Sequence, residues 1–318
     1  MRLRPSLLFC GLLVGCAPDL NVKASRVVQT RVVAVRATPA EARPGEAVSW
    51  DAVVVSPLPA PPAAAIDWAM CASPRNPSDS ITVSMACFAA ADATPGTMAP
   101  VVPITGAQGA HAQANIPADA CRKVGPEVPQ TSDTGAAQRP PDADITGGYQ
   151  LPIRLVLTDP TGTDVSFDRQ RVRCNLASAP ASAAREYEAR YQNNQNPTIA
   201  ALEFGGTIAA VDGSAHFGVP RGSRVPIRIQ WPPASKETYV LFDPTVRDVV
   251  ERSENLETGW FTNGGEFERD RTTADEDQPV TSNELILDPD VSQPVTVWIV
   301  LRDDRGGVGS TRITIDPL

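Results

Sequence analysis

The side chains that most often carry catalysis are scarce in this sequence, and none stands in a recognisable motif. The chain contains only two histidines, His111 and His216. The Gly213-Ser214-Ala215 stretch before His216 does not form the G-x-S-x-G turn that carries a nucleophilic serine. No glycine-rich phosphate loop and no H-E-x-x-H motif occurs. The sequence therefore predicts no catalytic residue, and an unrecognised pair of acids among the 37 acidic residues remains the enzymatic alternative.

Acidic side chains crowd the last part of the chain. Calcium often fixes loops in extracellular β domains, where it takes about six to eight oxygen ligands. However, the stretch lacks the D-x-[DN]-x-[DN]-G spacing of a calcium loop. We therefore favour a solvated acidic loop over a calcium site and assign no metal and no cofactor. The acidic residues are Asp270, Asp275, Glu276, Asp277, Asp288, Asp290, Asp303 and Asp304.

Four of the six cysteines lie beyond the N-terminal segment, at Cys71, Cys87, Cys121 and Cys174. If the chain is exported, as its N-terminal segment described next indicates, an even number of cysteines predicts two disulfides, although the sequence alone does not fix their pairing. We favour Cys71 with Cys174 and Cys87 with Cys121. A zinc site is the alternative, but no C-x-x-C pair is present.

The N-terminal segment has the composition of a secretory signal. Two arginines in residues 1–4 precede a short apolar run over residues 7–14, too short to span a bilayer. The run ends in Leu13-Val14-Gly15-Cys16, which resembles the lipobox of bacterial lipoproteins. That resemblance implies that residues 1–15, with Cys10, are cleaved and that Cys16 carries a thioether-linked diacylglycerol and an N-acyl chain. Ala17 in the next position implies the outer membrane. The alternative is an ordinary cleaved signal in which Cys16 is incidental.

The lipid would make this attachment permanent. A single acyl chain binds a membrane only marginally, whereas two or more chains hold a protein stably. The membrane is therefore an expected partner, contacted through the lipidated N-terminus.

Composition excludes several other classes of protein. The chain has 318 residues, of which 42% are hydrophobic, enough for two domains with packed cores. A net charge of -9 argues against a surface that binds nucleic acid. After the signal, no apolar stretch approaches the roughly 20 residues of a transmembrane helix.

Alternating apolar residues predict β-strands through most of the chain. After a polar tether at residues 16–28, strands begin near residue 31, and Pro44-Gly45 turns the chain into a second alternating run. Residues 153–174 predict a hairpin around the turn Asp159-Pro160-Thr161-Gly162. Between them lies a long insertion, rich in Pro, Ala and Asp, that contains Cys87 and Cys121. These features predict a first β-sandwich over residues 29–178.

The second half repeats this order. A short helix over residues 181–193 lies in a linker, residues 179–196, which ends in a polar stretch. Pro220-Arg221-Gly222 then turns into an alternating run over residues 225–231, and residues 295–315 predict a final hairpin. The repeat predicts a second β-sandwich over residues 197–318.

The second domain resembles bacterial immunoglobulin-like domains of the PKD type. The resemblance rests on residues 259–265 (GWFTNGG), residues 297–301, the turn Asp303-Asp304-Arg305-Gly306-Gly307 and residues 311–315. It implies an immunoglobulin-like fold. The first domain is similar only in its opening strands and final hairpin, and Trp68 and its cysteines do not follow the immunoglobulin Cys…Trp…Cys order. The expected fold class is all-β, with two tandem immunoglobulin-like sandwiches after a lipoprotein signal peptide.

Trp298 and Val300 alternate with the core positions Val297 and Ile299 and so face away from the core. Such side chains either form an exposed binding patch or lie under another part of the chain. We favour the covered arrangement.

Together these features predict a lipid-anchored envelope protein, most consistent with the outer membrane, that acts as a non-catalytic binding or structural module. Its sandwich loops would be presented to a protein or glycan partner, with the disulfide-linked insertion as the contact surface. One alternative is an accessory subunit of an envelope export, adhesion or motility complex. A carbohydrate-active enzyme is a further alternative.

Overall fold

The computed structural model describes residues 23–58, 64–74, 83–88, 100–127, 146–160, 162–176, 179–274 and 278–318. The proposed signal peptide and Cys16 lie outside these residues. Within them the regular secondary structure is mostly β-strand, and the all-β fold class with two tandem immunoglobulin-like sandwiches is confirmed.

In the first sandwich the described residues form eight strands in two facing sheets. One sheet has the order β1-β3-β6 and the other the order β2-β8-β7-β4-β5. Apolar side chains at every second position of β4 and β7 fill the space between the sheets against Trp50. The strands are β1 Arg31–Thr38, β2 Glu41–Ala42, β3 Ala47–Val55, β4 Ala65–Cys71, β5 Val101–Pro103, β6 His111–Asn115, β7 Gly148–Asp159 and β8 Gly162–Arg173.

The second sandwich packs two five-stranded sheets, ordered β10-β9-β12-β18-β16 and β11-β20-β19-β15-β17. Trp260 and Ile299 are fully buried between them. The separate hairpin β13-β14 lies beside the linker. The strands are β9 Ala201–Phe204, β10 Thr207–Ala209, β11 His216–Val219, β12 Arg224–Gln230, β13 Thr238–Asp243, β14 Asp248–Ser253, β15 Leu256–Thr262, β16 Gly265–Phe267, β17 Arg271–Thr273, β18 Val280–Leu287, β19 Val295–Asp303 and β20 Val308–Pro317.

Helices are few and short. Within the described residues they are α1, Ala120–Lys123, in the insertion of the first domain and α2, Ala181–Arg190, in the linker. Two single 3-10 turns, Met85–Cys87 and Pro233–Ser235, complete the elements. The helix predicted over residues 181–193 therefore exists but ends at Arg190.

The four described cysteines form two disulfides, and the pairing that we favoured from sequence is wrong. Cys71 bonds Cys87 across a Cα–Cα distance of 5.7 Å, and Cys121 bonds Cys174 across 5.8 Å. The reason is the alternation of side chains along β4. Met70 points into the core that Cys121 and Cys174 share, so Cys71 points to the opposite face of the sheet, where Cys87 covers it.

Candidate functional site at the domain junction

An apolar contact joins the two sandwiches. Trp298 and Val300 of β19 lie on the outer face of the second domain and are buried, 9% and 1% exposed. They pack against residues of β1 and β3 in the first domain, and the covered arrangement that we favoured for these two side chains is confirmed. The first-domain residues in these contacts are Val33, Ala34, Val53 and Val55.

Polar contacts flank this apolar centre. Arg302 donates from Nη2 to the carbonyl of Val33 at 2.6 Å, and its guanidinium pairs with Asp168 at 3.4 Å. Gln150 of β7 donates to the carbonyl of Arg305 at 2.9 Å. These bonds run from the first domain to the last two strands of the second and fix how the domains pack.

The linker supplies a buried polar cluster to the same junction. The hydroxyl of Tyr191 donates to a carboxylate oxygen of Glu41 at 2.7 Å, and Arg171 Nε donates to that hydroxyl at 3.2 Å. The side chains of Glu41 and Arg171 are 0% and 2% exposed and lie 3.4 Å apart. The backbone N–H of Asn194 donates to the same carboxylate at 2.8 Å. The linker is therefore fastened to the first domain by hydrogen bonds of Tyr191 and Asn194 with a desolvated ion pair of that domain.

A second buried cluster fastens the linker to the second domain. Arg305 donates from Nε to Glu254 at 2.5 Å and from Nη2 to Glu237 at 2.8 Å. Asp303 accepts the backbone N–H groups of Arg305 and Gly307 at 2.9 and 2.8 Å, and Asn194 donates to it at 3.2 Å. Two carboxylates therefore pair with the guanidinium of Arg305, and a third, Asp303, accepts its backbone N–H, in a place that is largely closed to water.

Burial raises the pKa values of two carboxyl groups and one tyrosine hydroxyl in these two clusters. Desolvation is the largest effect on Glu254, with the charge of Asp303 next, and together they raise its pKa from 4.5 to about 7. Burial also raises the pKa of Asp303, against the bonds from Gly307 and Asn194 that favour its ionised form. For Tyr191, burial raises the pKa to about 12, so its hydroxyl stays protonated and available as a donor.

Two glycines allow the linker to lie this close to the last hairpin. A Cβ atom at Gly307 would collide with the carbonyl oxygen of Gln195 in the linker and with the carboxylate of Asp303, and one at Gly309 would collide with the carbonyl oxygen of Pro197, directly after the linker. The backbone approach at the junction thus requires glycine at both positions.

The acidic residues that the sequence groups together serve different structural roles. Asp270 accepts two backbone N–H groups, Asp288 pairs with Arg26 at 2.7 Å, and Asp303 is buried in the cluster above. A solvated acidic loop is therefore wrong for Asp303, whereas Asp290 is exposed. Asp304 lies at the surface of the same turn as Asp303, and partial desolvation of its carboxyl group raises its pKa.

Residues 275–277 lie outside the described part of the chain, so the acidic stretch there stays a prediction. In the described ranges, no group of three or more carboxylate, imidazole or thiol side chains is placed to hold a metal ion.

The two histidines lie apart from the junction cluster. His111 Nδ1 is 2.9 Å from Asp51, and both side chains are exposed by half or more. His216 lies 3.9 Å from Asp316, also at the surface. Neither histidine contacts a nucleophile in the hydrogen bonds of the described residues.

A groove of about 470 Å³ runs along one side of the junction. One wall is β8 of the first domain at Phe167, and the floor is the outer face of β15 at Gly259 and Phe261. Phe88 packs its ring against Phe167 with centroids 4.7 Å apart and is itself 47% exposed. Met85, on the same disulfide-linked turn, is 63% exposed.

None of the helices in the described residues is long and apolar enough to cross a membrane.

No protein-family profile and no curated protein matches the chain. The PKD-type resemblance therefore stays a prediction.

Among solved structures, the chain is similar to fibronectin(III)-like modules of Clostridium thermocellum CbhA at 9% identity, covering 91% of this chain and 94% of that one, with a TM-score of 0.23. It is similar to the D00-D0 domain of Intimin at 6% identity, covering 89% and 99%, with a TM-score of 0.24. For the Yersinia pseudotuberculosis adhesin InvE the identity is 7%, the coverage 90% and 58%, and the TM-score 0.21. Likeness at this level carries no inference about function.

Proposed function

We propose that this protein is a lipid-anchored cell-envelope protein in which two sandwiches, fixed together at their junction, present one surface to a protein or glycan partner. The role is positional and non-catalytic. The lipobox-like Leu13-Val14-Gly15-Cys16 supports the anchor, and an outer-membrane location follows from the same resemblance.

The observation that carries the binding role is the exposed apolar turn of the first domain. Met85 and Phe88 stand at the surface although large apolar side chains gain by burial, and the Cys71–Cys87 disulfide holds their turn against the sheet. The turn borders the groove at Phe167. We assign the partner surface to this turn and groove, because a loop that is held on a rigid sheet can be presented to a partner in a fixed position.

The anchor is tested by mass spectrometry of the protein purified from its native cell. The expected product begins at Cys16 and carries a diacylglyceryl group and an N-acyl chain. An unmodified sulfur at Cys16 would contradict the anchor.

The binding surface is tested by crosslinking in the native cell, comparing wild type with Met85→Ser/Phe88→Ser. We expect the double variant to melt at the wild-type temperature and to lose the partner crosslinks. Ile208→Ser is the matched control, because Ile208 is 70% exposed but lies in the second domain on β10. Equal crosslinking in all three proteins would contradict the assignment.

The alternative is an accessory subunit of an envelope export, adhesion or motility complex. The fixed domain junction favours it over a free adhesin, since a subunit must hold its contacts in one geometry. Stable co-purification with integral membrane proteins is expected of such a subunit and not of a free adhesin.

A further inference from the structure

The segment that precedes the first domain lies on the second domain. Residues 23–27 come directly before β1, yet they pair with the end of β15. Val27 donates its N–H to the carbonyl of Thr262 at 2.8 Å, and the N–H of Thr262 donates to the carbonyl of Ser25 at 2.9 Å. The two segments run parallel at this point. We call residues 23–27 the strap.

Asp270 holds the strap by its backbone. Its two carboxylate oxygens accept the N–H groups of Ala24 at 3.2 Å and Ser25 at 3.0 Å. Partial burial opposes ionisation of Asp270, but the bonds from Ser25 outweigh it and lower its pKa. The carboxylate is therefore ionised at neutral pH and makes charge-assisted bonds.

Two basic side chains add contacts on either side. Arg26 forms a two-bond pair with Asp288 at 2.7 and 3.2 Å. Lys23 donates to the carbonyl of Phe267 at 2.8 Å. Every one of these acceptors belongs to the second domain.

The strap also closes the edge of the domain interface. Val27 is 3% exposed and packs with Trp298 of the second domain and Val55 of the first. Residues 23–27, which the sequence assigns to the polar tether of residues 16–28, are thus bound along the second domain.

We propose that the strap makes the second domain the part of the molecule that first receives tension from the N-terminal chain, so that this tension reaches the first domain only through the domain junction and not through the start of β1. A segment fastened to a folded unit passes force to that unit until its contacts break. The first domain, although nearer to the N-terminus in sequence, would be pulled directly from its own N-terminal end only after the strap opens. The strap contacts are independent of any lipid, whereas their use as a load path rests on the proposed anchor.

Hydrogen exchange on the full chain without lipid tests the strap itself. We expect slow exchange of the Val27 and Thr262 amides, and an increase of about tenfold or more in Asp270→Asn, which loses one acceptor and the charge. Asp290→Asn is the matched control, since Asp290 is exposed on the same domain. Lys23→Ala is a second variant at a partly exposed side chain, so a smaller increase should appear without loss of fold. Fast exchange of Val27 in the wild type, or identical rates in all variants, would overturn the strap.

Single-molecule pulling between tags before residue 17 and after residue 318 tests the load path. In the wild type we expect the first rupture to release the strap, with the first domain unfolding only afterwards. In Asp270→Asn the strap event should weaken, while Asp290→Asn should behave as the wild type. Unfolding of the first domain as the initial event in the wild type would overturn the proposal. An unlipidated Cys16 in the native protein, by contrast, would contradict only the anchor.

Discussion

Arg305 donates its Nε–H to a carboxylate oxygen of Glu254 at 2.5 Å, with both side chains almost completely removed from solvent. Glu254 follows β14, and Arg305 lies in the turn between β19 and β20. The pair therefore ties the hairpin beside the linker to the last hairpin of the chain. Because Gln150 of the first domain bonds the carbonyl of Arg305, the same residue also contacts the first domain.

Replacement of Arg305 should cost far more than the loss of a surface ion pair. In Arg305→Met the carboxylates of Glu254 and Glu237 lose their cation while one of them stays fully buried. We expect a loss of about 3–5 kcal/mol in the free energy of unfolding. Urea denaturation checks it, and Arg224→Met, at an exposed pair with Glu284, should change stability by less than about 1 kcal/mol. Similar losses in both variants would contradict the role of the cluster.

The stability of the protein should depend on the ionisation of Glu254. Its folded pKa of about 7 lies above the value of 4.5 for a free side chain, so the folded state binds the proton more tightly. The contribution of Glu254 is therefore fully present below pH 4.5 and is lost as the pH rises through 7. Glu254→Gln should flatten this part of the pH profile, an effect on the order of a few kcal/mol. Melting temperatures measured across this range check it, with the exposed Glu251→Gln as control.

The apolar centre of the junction should contribute to the stability of the whole chain. Trp298→Ala removes a large side chain from between the domains, with an expected cost of about 3 kcal/mol. Ile208→Ala, at a side chain that is 70% exposed, should lie within about 0.5 kcal/mol of the wild type. Equal effects of the two changes in chemical denaturation would show that Trp298 is not held in the interface.

The two disulfides should contribute unequally to the free energy of unfolding. Cys121–Cys174 closes 53 residues and Cys71–Cys87 closes 16, so loop entropy predicts about 1 kcal/mol more stabilisation from the first. We expect Cys121→Ser/Cys174→Ser to lower the unfolding free energy by more than Cys71→Ser/Cys87→Ser. The second pair should instead affect partner binding, since it holds Met85 and Phe88 in place. Calorimetry and the crosslinking assay separate the two effects.

The strands could be predicted because their alternation is local. In β12, Val225, Ile227 and Ile229 face the core, and the residues between them, Pro226 and Arg228, face out, as the alternation in the sequence indicates. The outward position of Trp298 also followed from alternation, although the sequence does not say which residues cover it. The alternation in β4 could have indicated the correct pairing of Cys71. Because Trp68 and Met70 face the core, Cys71 lies on the face of the sheet opposite the core.

The junction cluster could not be predicted from sequence. Glu41 and Tyr191 are separated by 150 residues, and Asn194 and Asp303 by 109, so no spacing connects them. The one local signal was the pair Tyr187 and Tyr191, four residues apart on and after the linker helix, whose rings stack at 4.8 Å. The strap was missed for a similar reason, since residues 23–27 show no alternation of apolar side chains and their contacts lie about 240 residues away.

The central claim is that the two sandwiches form one fixed unit, and a distance measurement tests it most directly. Gln113 on β6 and Ile208 on β10 are both exposed and lie in strands of different domains. Pulsed electron paramagnetic resonance between spin labels at these positions should give a single narrow distance distribution, which broadens in Arg305→Met. A broad distribution in the otherwise unmodified chain would contradict the account.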